Sequence, residues 1–210
     1  MVLRALRPFV SHPDVAQVVL VLPAEDAAHP PAFLSALSAP SLSAPTAPSA
    51  LSAFSVVAGG EHRGDSVRAG LAALRPECGV VLVHDGARPF VDQTVIGAVI
   101  AVARRGEGAV PAVPLSDTLK EATPGDPTRI ARTRPRAHLW RAQTPQAFPR
   151  KVVEEAYGRA SRDCHRATDD SALVETIGIP VRLVPDSALN LKVTTREDLA
   201  LAELLAEVSP

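Results

Sequence analysis

Short apolar runs closed by Pro, Gly or Asp recur along the chain: QVVLVLP (17–23), FSVVAGG (54–60), GVVLVHD (79–85), GAVPAVP (108–114) and VRLVP (181–185). They lack the apolar/polar alternation of half-buried strands, which predicts strands covered on both faces in a mostly parallel sheet. Between and after them the period lengthens. DSVRAGLAALR (65–75) places Val67, Leu71 and Leu74 on one stripe, and DQTVIGAVIAVARRG (92–106), RKVVEEAYGRAS (150–161) and DDSALVETIG (169–178) also read at helical spacing. TTREDLALAELLAEV sets Thr194 three residues before Glu197, predicting a capping box at the head of a last helix. Strand and helix alternate, so the predicted class is α/β with right-handed crossovers.

Two segments break this rhythm. Residues 27–53 form an Ala/Ser/Pro tract in which Pro30, Pro31, Pro40, Pro45 and Pro48 forbid a long helix, predicting a surface loop. Residues 116–137 carry Pro124, Gly125 and Pro127 midway, predicting two extended arms around a TPGDP turn: a projecting β-hairpin. That hairpin holds Arg129, Arg132, Arg134 and Arg136.

Composition narrows the function classes. A chain of 210 residues suits one domain, 1–210, and 46% hydrophobic residues supply a core. Aromatics are only 3%, so the core is aliphatic. A net charge of −1 argues against a nucleic-acid partner. Cys78 and Cys164 make neither a disulfide framework nor a four-ligand zinc site. No run is long and apolar enough to span a membrane, and Pro8 and Pro13 interrupt the segment after Arg4 and Arg7, so no signal peptide is read. A reducing, cytoplasmic setting is expected.

In an open α/β sheet, ligands bind beyond the carboxyl ends of the strands. In GGEHRGDSVRAGL (59–71), Gly59 and Gly60 close a strand and Asp65 or Ser66 can cap the next helix; the pair can admit a flat ring or simply turn the chain. In VVLVHDGARPFV (80–91), Asp85 can hold a sugar hydroxyl or a metal and Arg88 a phosphate; a plain ion pair is the alternative, although a surface pair contributes only about 0–1 kcal/mol. LWRAQTPQAF (139–148) presents Thr144 before Pro145, either as a hydroxyl toward a ligand or as a cap. Lys192 in NLKVTTREDLALAE (190–203) precedes a helix N-terminus, where it either meets a phosphate or is simply solvated. Thr168 in RATDDSALVE (166–175) caps a helix or faces a ligand.

Taken together, GGEHRGDSV, VLVHDGARPF, PAVPLSDTLK, LWRAQTPQAF, ATDDSALVE and NLKVTTREDLALAE, in this order, resemble the 2-C-methyl-D-erythritol 4-phosphate cytidylyltransferase family. The resemblance implies a Rossmann-like three-layer α/β sandwich that joins CTP to methylerythritol phosphate with Mg²⁺ and releases pyrophosphate. It implies that Gly59, Gly60 and Ser66 lie along the cytosine and ribose, and that Asp85 sits by the ribose and the methylerythritol with Arg88 nearby. It further implies that Thr144 and Thr168 line the methylerythritol pocket and that Lys192 contacts phosphate. Arg136, after Asp117 and Thr118, matches a residue reaching the partner subunit's site, which makes 116–137 a homodimerisation arm. A ribitol 5-phosphate cytidylyltransferase shares much of this pattern, and a non-catalytic cytidine-nucleotide-binding remnant is a third expectation.

One departure accompanies the match. The family's opening strand and glycine-rich loop, with an Arg and a Lys for the triphosphate, have no counterpart before MVLRALRPFVSHPDV, which matches the helix after that loop. The resemblance therefore leads us to expect two unpaired strand edges and a start of translation upstream.

Overall fold

The structure is a computed structural model that describes residues 1–34, 53–162 and 169–208. The strands are β1 (Gln17–Leu22), β2 (Ala53–Ala58), β3 (Val80–Val83), β4 (Gly108–Pro114), β5 (Leu119–Thr123), β6 (Asp126–Arg134), β7 (Trp140–Ala142), β8 (Gln146–Pro149) and β9 (Val181–Pro185). The helices are α1 (Val2–Val10), α2 (Ala24–Ala28), α3 (Arg63–Ala72), α4 (Gln93–Ala103), α5 (Arg150–Arg162), α6 (Asp170–Thr176) and α7 (Arg196–Val208). All five apolar runs are strands. The Ala/Ser/Pro tract is described only at its ends, by α2, a 3-10 turn at Ala32–Leu34 and Ala53. Its remainder lies outside the described residues, as do Cys164 and Thr168.

The expected mostly parallel sheet is corrected to a mixed one. β1 and β2 run parallel as a separate pair, and β4 runs parallel to β9. β8, however, is antiparallel to both β3 and β4, and β7 is antiparallel to β4. The reversal comes from two short strands inside a stretch read as loop: β7 and β8 flank Gln143-Thr144-Pro145 and return the chain between β3 and β4.

Alternation along β3 splits the core. Val80 and Leu82 pack with Val99, Val102 and Ala103 of α4, while Val81 and Val83 pack with Val153, Ala156 and Tyr157 of α5 and with Leu173 and Val174 of α6. Helices thus cover both faces of this sheet. Phe148, Val99 and Val153 are fully buried, and each such side chain stabilises the fold by about 1.5–3 kcal/mol. A third cluster, Phe9, Val15, Val91, Ile96 and Ile100, receives Val18 from β1 and Leu82 from β3. The two sheets therefore lie under one helix layer, joined by side chains, and no strand pairing links β1 to β3 among the described residues.

The hairpin forms as β5 and β6, with Leu119 opposite Arg134 and Gly125 at φ +83° in the turn, a left-handed value that favours glycine. Every residue of β6 is exposed, and Arg132 and Arg134 both pair with Glu121. The last helix starts one residue later than the sequence pattern implies. Its cap is Thr195, whose hydroxyl accepts from the Asp198 amide at 3.1 Å, while Asp198 accepts from the amides of Thr194 and Thr195, each at 2.9 Å. The predicted Thr194–Glu197 box is thereby corrected to Thr195–Asp198.

Candidate functional site

The end of β2 brings the backbone against α3. A Cβ on Gly59 would lie 2.6 Å from the Ser66 hydroxyl, and one on Gly60 would lie 2.2 Å from the Asp65 Cβ, so both positions demand glycine. Ser66 Oγ accepts from the Gly60 amide at 3.3 Å. The residue before α3 is His62, and Asp65, inside the helix, accepts from its amide at 3.1 Å.

Arg63, the first residue of α3, reaches away from this loop. Its two terminal nitrogens bind the two Asp170 carboxylate oxygens at 3.0 and 2.6 Å, and the Tyr157 hydroxyl donates to the same carboxylate. The Asp170 side chain is 0% exposed and that of Arg63 is 42%. Burial opposes the Arg63 charge, but the hydrogen bonds and charge of Asp170 outweigh it and push the guanidinium above its ordinary value.

The end of β3 forms a second centre. The turn closes by the Arg88 amide donating to the Asp85 carbonyl at 2.9 Å. Two segments then converge on it. Thr144, between β7 and β8, accepts from the Asp85 amide at 3.1 Å. The segment after β9 is tied in by Asn190, whose amide nitrogen donates to the Thr144 carbonyl at 2.9 Å and to Asp186 at 2.7 Å. Gln143 donates to the carbonyls of Ser187 and Asn190, and the Val193 amide donates to the Ala87 carbonyl at 2.8 Å. These ties set Lys192 Nζ 3.0 Å from Asp85 Oδ2.

Arg88 points inward. Its guanidinium donates to the Asn190 carbonyl at 2.7 Å and lies 3.6 Å from Asp85 Oδ2. Burial holds its pKa below the ordinary value against the attraction of Asp85. Burial works against the Asp85 charge too, but the hydrogen bond and charge of Lys192, then Arg63 and Arg88, hold its carboxyl below the usual range. Arg63 thus acts on both centres. His84 lies between Thr144 Oγ1, 3.0 Å from its Nδ1, and the Arg88 carbonyl, 3.0 Å from its Nε2. Burial pushes its pKa down from 6.5 to about 4.

Asp85, Arg88, Thr144 and Lys192 therefore meet directly, while Gly59, Gly60 and Ser66 form their own contacts at the end of β2. Thr118 and Arg136 do not join this centre within one chain. Both are exposed at the foot of the hairpin, where Arg136 donates to the Ser116 carbonyl. Sequence reasoning missed Arg63, Gln143, Tyr157, Asp170 and Asn190, most of whose bonds join segments far apart in the chain and leave no local pattern. Among the described residues no group of three or more His, Cys, Asp or Glu could hold a metal ion.

These features define an α/β protein with cationic and hydroxyl-bearing side chains gathered at a strand end, where such folds bind ligands. A solved 2-C-methyl-D-erythritol 4-phosphate cytidylyltransferase from Thermus thermophilus matches with a TM-score of 0.73 and 34% identity, covering 98% of this chain and 86% of that one. The 4-diphosphocytidyl-2C-methyl-D-erythritol synthase of Anaerococcus prevotii matches with a TM-score of 0.81 and 25% identity over 98% and 88%. Among curated proteins, the 2-C-methyl-D-erythritol 4-phosphate cytidylyltransferase of Syntrophus aciditrophicus is 47% identical over 148 residues, 70% of this chain and 62% of its own length. That of Streptomyces coelicolor is 42% identical over 208 residues, 97% of this chain and 73% of the relative. The chain thus spans less than two thirds of some of its relatives. The family model for 2-C-methyl-D-erythritol 4-phosphate cytidylyltransferase matches residues 1–207. The chain belongs to this family.

Proposed function

We propose that the chain transfers a cytidylyl group from CTP to 2-C-methyl-D-erythritol 4-phosphate and releases pyrophosphate. The observation that carries this reading is the meeting of Asp85 and Lys192 at 3.0 Å beyond β3. A phosphate monoester is already anionic at neutral pH, so its oxygen attacks the α-phosphorus without a general base, while the bond to the departing pyrophosphate breaks. The protein's task is then positioning and charge stabilisation. The Gly59–Ser66 loop takes the base and ribose, Asp85 takes sugar hydroxyls, and Lys192 places and neutralises phosphate. Mg²⁺ would be held mainly through the CTP phosphates, with Asp85 the carboxylate able to join that donor set. It supplies charge neutralisation at the phosphates.

In the same reading, the exposed hairpin, with Ile130, Leu139 and Trp140 exposed on it and beside it, makes a homodimer of single-domain protomers. That assembly carries Arg136 and Thr118 to the partner's site. A cytoplasmic setting belongs to the proposal. The test is to supply CTP and Mg²⁺ with methylerythritol phosphate or ribitol 5-phosphate and to measure pyrophosphate. Release with methylerythritol phosphate alone supports the proposal, and release only with ribitol phosphate overturns the substrate.

A second reading, a cytidine-nucleotide-binding module without turnover, is favoured by the separation of β1–β2 from the larger sheet. It places the Gly59 loop and Asp85 on strands that share no ladder. Calorimetric titration with CTP separates the two readings: binding without pyrophosphate release favours the module.

A further inference from the structure

His84 sits in a chain of hydrogen bonds whose direction is fixed by its two ends. At one end Nε2 lies 3.0 Å from the Arg88 carbonyl oxygen, which has no proton to give, so Nε2 must carry the hydrogen. The ring is partly buried, and Phe9 of α1 packs on it at a centroid distance of 4.8 Å. In the neutral ring Nδ1 is then bare. At the other end the Asp85 amide donates to Thr144 Oγ1 at 3.1 Å, which occupies one lone pair of that oxygen. The only direction left for the Thr144 proton along this chain is His84 Nδ1, at 3.0 Å. The order is Asp85 N–H to Thr144 Oγ1–H to His84 Nδ1, and His84 Nε2–H to the Arg88 carbonyl.

We propose that His84 is a positioning residue that turns the Thr144 proton away from the site, so that Thr144 meets the substrate as an acceptor of a sugar hydroxyl and not as a donor to phosphate. The inference rests on the proposed reaction for its ligand, but the hydrogen-bond order stands on the protein alone. A Thr with a free proton could serve phosphate and hydroxyl alike. One whose proton is held by His84 retains a single lone pair, which selects a donor. Lys192, a donor with no lone pair, then handles phosphate in the same centre.

The test has two arms. Nitrogen NMR of the substrate-free protein reads the His84 tautomer: a bare Nδ1 and a protonated Nε2 are expected, and a protonated Nδ1 in the neutral ring overturns the proposal. In the second arm Thr144→Val should lower kcat/KM for methylerythritol phosphate about tenfold and leave KM for CTP and binding of inorganic phosphate unchanged. Thr144→Ser should keep most of the activity. His84→Phe, which preserves the contact with Phe9, should cost a similar factor, and the His84→Phe/Thr144→Val pair no more than either alone, because the two act through one hydroxyl. His84→Asn, with an acceptor oxygen near the Nδ1 position, should recover part of the loss. Additive losses, or weaker phosphate binding on Thr144→Val, overturn the proposal. A protein that shows the expected tautomer yet handles neither sugar phosphate sinks the proposed reaction while leaving the positioning chain intact.

Discussion

Removing Arg63 should damage the protein far more than neutralising its partner. The Asp170 carboxylate is 0% exposed and takes three side-chain hydrogen bonds, two from Arg63 and one from Tyr157. Arg63→Ala deletes two of the three and strands a charge where water does not reach, a change that costs about 3–5 kcal/mol. For a chain of this size each kcal/mol lowers Tm by about 2–4 °C, so the expected fall is roughly 6–20 °C. Asp170→Asn keeps the volume and removes the charge. It leaves behind a guanidinium that is 42% exposed and can turn to solvent, so its cost should be about 1–2 kcal/mol. Adding Arg63→Ala to Asp170→Asn should then cost little more, because no buried charge remains to be stranded. Urea denaturation followed by circular dichroism measures all three variants. The reasoning fails if Asp170→Asn proves worse than Arg63→Ala, or if the double variant is the sum of the singles.

Other outcomes follow from the same geometry. Lys192→Ala and Arg136→Ala should each reduce pyrophosphate release about 10²–10³-fold with little change in Tm, since both side chains are largely exposed; equal loss of folding would make them structural. Asp85 has a folded pKa below its ordinary 3.8, so its contribution to stability is complete above pH 3.8 and fades as pH falls through the folded value. Denaturation midpoints of the wild type and Asp85→Asn should therefore converge in acid, and a gap that does not narrow refutes this. His84 falls from 6.5 unfolded to about 4 folded, so its contribution is complete above pH 6.5 and is lost between 6.5 and about 4 as the unfolded chain takes up the proton. His84→Phe should flatten the stability curve over that window, and an unchanged slope would show that other groups set it.

The sequence disclosed what local pattern can carry. Apolar runs located β1, β2, β3, β4 and β9, and a Pro-Gly turn located the hairpin. Strand-end position was enough to nominate Asp85, and a helix start to nominate Lys192, which stand 3.0 Å apart. β7 and β8 were illegible because three and four residues are too short to show a period, and they alone make the sheet mixed. The capping box slipped by one residue because two threonines in succession offer two equivalent starts, and only backbone geometry chooses. Asn190 and Gln143 went unassigned for a different reason: each stitches two distant loops through backbone carbonyls, a function that any amide in a quoted string could have served.

Among the described residues no ladder crosses from β1 to β3, and that seam has a mechanical corollary. A ladder resists shear because its hydrogen bonds must rupture together, whereas interdigitated side chains such as Val18 and Leu82 slide apart piecemeal. Under force, or in the spontaneous openings that hydrogen exchange records, the β1–β2 ribbon should peel off whole while β4 and β9 stay zipped. A nucleotide spanning Gly59 and Asp85 would then act as a rivet across that seam.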